Sequence, residues 1–169
     1  ATRSALPYTV QFEGAPSFFN KGIVIDAAGG VVLVESVTAK NTQVVVDTGT
    51  SALTINSGKS LSTTSQLLTI TADNLNIAGA VSTGTTTVII ECTTPGRTIG
   101  LGGAAGQMSI TAPEVQGFTA TGLSIGGPNC GSMAVDGVLT AASTSIGGIF
   151  SMLAVRDDVS VTFSGASSS

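Results

Sequence analysis

Pairs of apolar residues separated by a single residue recur along most of the chain: Val44/Val46, Leu53/Ile55, Leu68/Ile70, Leu75/Ile77, Val88/Ile90, Ile99/Leu101, Met108/Ile110, Leu123/Ile125, Met133/Val135 and Val159/Val161. The intervening residue is mostly Thr, Ser, Asn or another small group. In extended backbone successive side chains point to opposite faces, so each triplet reads as a short strand with one dry and one wet face. Gly, Ser, Thr, Asn and Pro separate the triplets, residues that turn the chain through positive φ or side-chain-to-backbone bonding. β-Branched Val, Ile and Thr favour extended backbone, and no helical periodicity competes. The sequence predicts an all-β protein.

Strands this short bury little unless they stack. Leu68-Thr-Ile-Thr-Ala-Asp-Asn-Leu75 returns as Met108-Ser-Ile-Thr-Ala-Pro-Glu-Val115, and again as Leu123-Ser-Ile-Gly-Gly127. The first two runs are offset by 40 residues, within the range of stacked repeats. In a coil-stacking solenoid each strand pairs with its counterpart above and below, and turns vary freely because they project outward. Asp136-Gly137 is the only two-residue hairpin signal of its kind, whereas an antiparallel meander would need several. The expectation is a parallel β-helix of about 20 residues per coil; the alternative is a β-sandwich. Residues 1–20 hold Pro7 and Pro16 with Tyr8, Phe12, Phe18 and Phe19, four of the seven aromatics, and read as an N-terminal capping or exchange segment. Residues 21–163 form the repeat domain, and 164–169 a small polar tail expected to fray. Ala1 opens without the basic and apolar runs of a secretory leader.

Composition removes whole classes of function. Charged residues make up 9% of the chain, with a net charge of −4, and the six basic residues, Arg3, Lys21, Lys40, Lys59, Arg97 and Arg156, stand singly. A row of phosphates would find no partner, so no nucleic acid is expected. The absence of histidine excludes Ser-His-Asp and Cys-His catalysis and the usual zinc sites. The longest apolar stretch, Gly22 to Val34, is too short to span a bilayer and carries Asp26. No membrane insertion, metal or cofactor is expected.

Four ordered strings carry a resemblance: Val46-Asp-Thr-Gly-Thr-Ser-Ala-Leu-Thr-Ile55, Leu68 to Gly79, Pro95-Gly-Arg-Thr-Ile-Gly-Leu-Gly-Gly103, and Gly122-Leu-Ser-Ile-Gly126 running to Ala134-Val-Asp-Gly-Val138. Over roughly Thr42 to Val138 the chain resembles the filamentous-haemagglutinin-like repeats of large secreted surface proteins, bacterial and algal. That resemblance implies a right-handed parallel β-helix and a role in extension, as stalk, filament or adhesin shaft. It does not reach the aromatic N-terminal segment.

Three motifs compete with this reading. Val45-Val-Asp47-Thr-Gly-Thr-Ser51 imitates the way aspartic proteases present their catalytic carboxylate. That chemistry needs two such aspartates sharing a proton, so one copy per chain would demand a homodimer using Asp47. The structural alternative is a turn in which Asp47 bonds backbone amides and Gly49 takes positive φ. Gly100-Leu-Gly-Gly-Ala-Ala-Gly106 lacks the dinucleotide fingerprint's spacing and reads as a tight corner. Asp157-Asp158 is the only adjacent carboxylate pair and reads as a solvated turn. Cys92 and Cys130 form a candidate disulfide, as an even pair in a secreted chain suggests. At 20 residues per coil they would lie nearly two coils apart, about 9.6 Å, beyond the roughly 7 Å reach of a disulfide. A bond between them would therefore need a larger coil or leaning turns, with an intermolecular bond as the other outcome.

The sequence thus predicts a non-enzymatic building block of an extracellular or cell-surface filament, joined head to tail through β-helix ends. Its partners would be other copies of itself, and beyond them surface or matrix proteins or glycans. The candidate contacts are Tyr8, Phe12, Phe18 and Phe19 at one end and Val159, Val161 and Phe163 at the other. An adhesin or carbohydrate-binding shaft is the alternative, and the homodimeric protease a remote one.

Overall fold

A computed structural model describes residues 8–164. The start of the expected cap and most of the expected tail, 165–169, lie outside the described residues.

The chain winds through three faces per coil. The first coil comprises β1 (Val10–Phe12), β2 (Ser17–Phe19) and β3 (Val24–Asp26); the second, β4 (Val31–Leu33), β5 (Val37–Ala39) and β6 (Val44–Asp47). The third comprises β7 (Ala52–Ile55), β8 (Ser60–Ser62) and β9 (Leu68–Thr71); the fourth, β10 (Asn74–Ile77), β11 (Ala80–Ser82) and β12 (Thr87–Glu91). The three faces grow as β1-β4-β7-β10, β2-β5-β8-β11 and β3-β6-β9-β12. All strand pairing among the described residues is parallel. The fold is a parallel β-helix, and the sandwich alternative is excluded.

Register explains why the triplets are so regular. Val10, Val31, Leu53 and Leu75 form one inward column, and Phe12, Leu33, Ile55 and Ile77 the next. On the third face Val46, Ile70, Ile90 and Ile125 stack likewise, each fully buried. Each such side chain contributes about 1.5–3 kcal/mol of burial, and the columns join into one continuous core. Thr48, Thr63 and Thr83, at corners, are also fully buried; their hydroxyls donate to the carbonyls of Ser51, Gln66 and Thr86, each three residues on, so none of these three hydroxyls is stranded. The aromatic segment expected as a separate cap supplies the first coil itself. β1 and β2 pair in register with β4 and β5, and Phe12 and Phe19 meet edge to face at 6.4 Å within it.

The upper half departs from simple winding. The fifth coil contains β13 (Arg97–Gly102), β14 (Met108–Ile110), the short helix α1 (Ala112–Gln116) and β15 (Phe118–Gly126). The sixth contains β16 (Cys130–Asp136), α2 (Thr140–Ser143) and β17 (Ile146–Leu153); β18 (Val161–Phe163) opens a seventh. On the first face the order is β14-β13-β16-β18, so the later strand β14 lies below β13, facing β10. Parallel neighbours normally need a crossover of a dozen residues or more, yet residues 103–107 suffice here. Ile99 and Leu101 point inward, so position 100 faces out, and a Cβ there would stand 2.2 Å from the carbonyl oxygen of Ala104. The loop therefore runs back over the outer face of β13, across a strand made bare by glycine. The glycine run is a corner, and Gly100, Gly102 and Gly106 serve close backbone approach.

Where β14 meets β10, side chains replace the backbone ladder. The Ser109 N–H donates to Asn74 Oδ1 at 3.2 Å, and the Ile77 N–H donates to Glu114 Oε1 at 3.0 Å. Glu114 also closes the capping box of α1 with Thr111. The 40-residue likeness between Leu68 and Met108 does not match equivalent places: β9 lies on the third face and β14 on the first. Apolar-x-apolar triplets serve every face alike, so similarity between two of them carries no information about which face each occupies.

Candidate functional site

A solenoid satisfies its backbone internally everywhere except at its ends. Among the described residues β1, β2 and β3 pair on one side only, as do β17 and β18 at the other end. Such rows of free N–H and C=O groups are templates for further strands. At the lower end the interior of the first coil is open: Val10, Phe12, Phe19, Ile23, Val24, Ile25 and Asp26 line a cavity of about 360 Å³. At the upper end Phe150, Met152 and Val161 are only partly buried against the core.

The distribution of exposed apolar side chains points the same way. Tyr8, Phe18 and Val24 belong to the first coil or its approach; Leu139, Ile149, Leu153, Val155 and Phe163 belong to the last coils. These are all the large apolar side chains that stay exposed among the described residues, and coils two to five contribute none. Most of their outward positions carry hydroxyls, amides and small groups instead, as in the column Thr38, Ser62, Ser82 and Thr119, and the outward Val32, Val45 and Ile89 are half-buried.

The residues singled out from the sequence separate into two roles. Tyr8, Phe18 and Phe163 are exposed at 73%, 76% and 73%, whereas Phe12 and Phe19 turn inward and line the lower cavity. Val161 packs against the core, and Val159 is half-buried just ahead of β18. Sequence reasoning missed Val24, Leu139, Ile149, Leu153 and Val155. The run Ile149-Phe-Ser-Met-Leu153 did hold a signal, since alternation sends Phe150 and Met152 inward and Ile149 and Leu153 out.

Cys92 and Cys130 are bonded to each other, with Cα atoms 5.2 Å apart and both side chains fully buried. The expected separation of nearly two coils is corrected by the insertion. Val24 to Val45 is a step of 21 residues and Leu68 to Val88 a step of 20, but Val88 to Leu123 is 35. One coil takes β13, its return loop, β14 and α1, so 38 residues of sequence amount to a single turn of the helix. An intermolecular bond has no free thiol left to form it.

A buried charge pins the same corner. The Asp73 side chain is 4% exposed and accepts from the Thr94 N–H at 2.8 Å and from the Thr94 hydroxyl, while Arg97 lies 3.5 Å from its carboxylate. Arg97 also donates to the carbonyls of Asp73 and Gln107, and the Thr98 N–H and the Gln107 side chain bond at 3.1 Å. β13 is thus tied to the coil below it and to its own return loop.

Asp47 accepts the Gly49 N–H at 2.8 Å, with Gly49 at φ 57°, the geometry of a side-chain-closed turn. Its register neighbour on the next strand is Asp26, which the motif reading overlooked. Asp157 and Asp158 lie in an exposed turn, Asp158 at φ 61°. Among the described residues no three His, Cys, Asp or Glu side chains converge, and no helix is long and apolar enough to cross a membrane. Comparison with protein-family models, with curated proteins and with solved structures returns no match for this chain.

Proposed function

We propose that the protein is a structural unit of a filament, joining copies of itself head to tail through the ends of its β-helix in an oxidising, extracellular setting. The observation that carries this reading is the confinement of exposed large apolar side chains to the first and last coils. Scattered surface apolar residues need no explanation, but these flank unpaired strand edges and an open core cavity. A second copy on either end would continue the parallel ladder and cover both. Each large side chain removed from water would contribute about 1.5–3 kcal/mol before the costs of association. A net charge of −4 on 169 residues opposes such stacking only weakly. The buried Cys92–Cys130 bond supports an oxidising compartment. The shaft alternative called for aromatics beside amides on one side face, and among the described residues the sides of coils two to five present no exposed aromatic.

The test is the concentration dependence of particle size by light scattering, with electron microscopy of the same sample. Growth into rods about one solenoid wide, weakened by Val24→Lys and by Ile149→Lys, is the expected result. A monodisperse monomer at millimolar concentration, unchanged by either substitution, would overturn the reading.

A further inference from the structure

The strand that closes the upper end repeats the strand that opens the lower one. Thr9-Val-Gln-Phe-Glu-Gly-Ala-Pro-Ser17 and Ser160-Val-Thr-Phe-Ser-Gly-Ala-Ser-Ser168 agree at five of nine positions, and Val-x-Phe occurs nowhere else in the chain. The likeness is also one of place. β1 and β18 both lie on the first face, and in both the Val and Phe sit on inward columns: Val10 and Phe12 pair with Val31 and Leu33, Val161 and Phe163 with Met133 and Val135. Here, unlike the likeness between Leu68 and Met108, sequence and position in the coil coincide.

We propose that β18 is a stand-in for β1: within one copy it occupies the edge of β16 that β1 of the next copy takes when two copies join. This rests on the reading that copies join end to end, and it specifies the joint. The lower end of the molecule is a complete coil, β1 to β3, whereas β18 begins a coil on one face only. A copy seated on the upper end with β18 in place meets it on that face alone. With β18 moved aside, β1 lies on β16 and β3 on β17, coil on coil. The inward columns then run on, Val10 over Met133, Phe12 over Val135, and Ile23 and Ile25 over Phe150 and Met152.

β18 is suited to leaving. It spans three residues, pairs with β16 alone among the described residues, and leaves Phe163 73% exposed although that side chain is on an inward column. Beyond its three-residue ladder with β16, its ties are the Met133 N–H to Ser160 O and the Ser164 N–H to Val135 O, each 2.8 Å, the Ser160 N–H to Ser132 Oγ at 3.2 Å, and the Thr162 and Ser164 hydroxyls to the carbonyls of Met133 and Val135. The incoming β1 restores pairing of the same kind and adds the contact between β3 and β17. Exchange therefore gains what β18 alone cannot supply, and in its absence β18 keeps the β16 edge covered.

Cysteine pairs distinguish the arrangements, since in-register neighbours on adjacent strands fall within disulfide reach. Ala134 faces Thr162 in one copy and would face Gln11 of the next after exchange. Ala134→Cys with Thr162→Cys closes within a monomer and serves as the control. Ala134→Cys with Gln11→Cys is expected to give a ladder of covalent multimers on oxidation, and Thr162→Cys with Gln11→Cys to give none. Removing β18, by ending the chain before Ser160, is expected to lower the concentration for half-assembly about tenfold, because a competing strand is gone. The reverse pattern, a ladder from positions 11 and 162 and none from 11 and 134, would show that β1 docks on top of β18 and overturn the proposal while sparing end-to-end assembly. Loss of assembly in a shortened chain with a native circular dichroism spectrum would do the same. Should the shortened chain not fold, the cysteine ladders decide. Absence of any multimer, in the parent and in every variant, would refute end-to-end joining and this inference together.

Discussion

Replacing Gly100 by alanine tests the unusual strand order directly. The added methyl would lie 2.2 Å from the Ala104 oxygen, 2.7 Å from the Ala105 carbonyl carbon and 2.8 Å from the Gly106 nitrogen. All three neighbours are backbone, so no side chain can swing aside, and the loop 103–107 must lift by more than 1 Å. That loop carries β14, whose register with β13 runs over Ile99↔Met108, Gly100↔Ser109 and Leu101↔Ile110. Overpacking costs about 1–3 kcal/mol, and weakening one or two ladder bonds adds about 0.5–1.5 kcal/mol each. The stiffer unfolded chain returns about 0.4–1 kcal/mol. The net expectation is a loss of about 3 kcal/mol, or a fall in Tm of about 6–12 °C for a chain of this size. Gly103→Ala is the matched control: it sits in the same loop, and its nearest contact would be an ordinary 3.6 Å to the Asp136 carboxylate. Its effect should stay within about 0.5 kcal/mol. Urea unfolding followed by far-ultraviolet circular dichroism is the assay, since the chain has no tryptophan. Equal midpoints for both variants and the parent would mean that the loop does not lie across β13, and the order β14-β13 would fall with it.

Other substitutions probe the same corner and the motif that imitates a protease. Cys92→Ala with Cys130→Ala opens a loop of 38 residues and should cost about 4 kcal/mol in urea unfolding, a value that unchanged midpoints would contradict. Arg97→Met leaves the nearly buried Asp73 without its countercharge and should cost about 3 kcal/mol. Adding Asp73→Asn should recover part of that loss, and strictly additive losses would argue against the pairing. Asp47→Asn keeps an acceptor for the Gly49 N–H, so stability should move by less than about 0.5 kcal/mol. Peptide cleavage by the parent that this substitution abolishes would restore the catalytic reading of Asp47.

Coil architecture was legible because period two is a strong signal wherever one face is dry. Leu53/Ile55, Leu68/Ile70 and Val88/Ile90 are fully buried, and in each the middle residue faces out. The order of strands was not legible. β13 and β14 carry equivalent triplets, Ile99-Gly-Leu101 and Met108-Ser-Ile110, and hydrophobicity is indifferent to which lies lower. What decides it is steric and local: the bare outer face at Gly100, the reach of Asn74 and Glu114 to Ser109 and Ile77, and the Asp73–Arg97 pair. The same insertion hid the disulfide, since a coil length drawn from the regular coils misplaces Cys130 by a full turn.

The candidate site was half legible for a related reason. Phe12 and Phe163 look alike in sequence, yet one is sheltered by Phe19 and the other stands open, because β1 belongs to a complete coil whereas β18 begins a coil on one face only. Position along the axis, more than residue type, therefore sets which apolar side chains are exposed. In coils two to five the inward columns are covered from above and below, and most outward positions hydrate through hydroxyls and amides, with Val32, Val45 and Ile89 half-buried among them. At the ends the same pattern of residues leaves Phe163, Val24 and the cavity around Phe12 uncovered. A chain with 9% charged residues has few lysines or glutamates with which to guard those edges, and among the described residues Asp26 is the only ionisable side chain lining the lower cavity. Edges left unguarded while the core columns point through them favour a partner built on the same columns, and a second copy of this chain is such a partner.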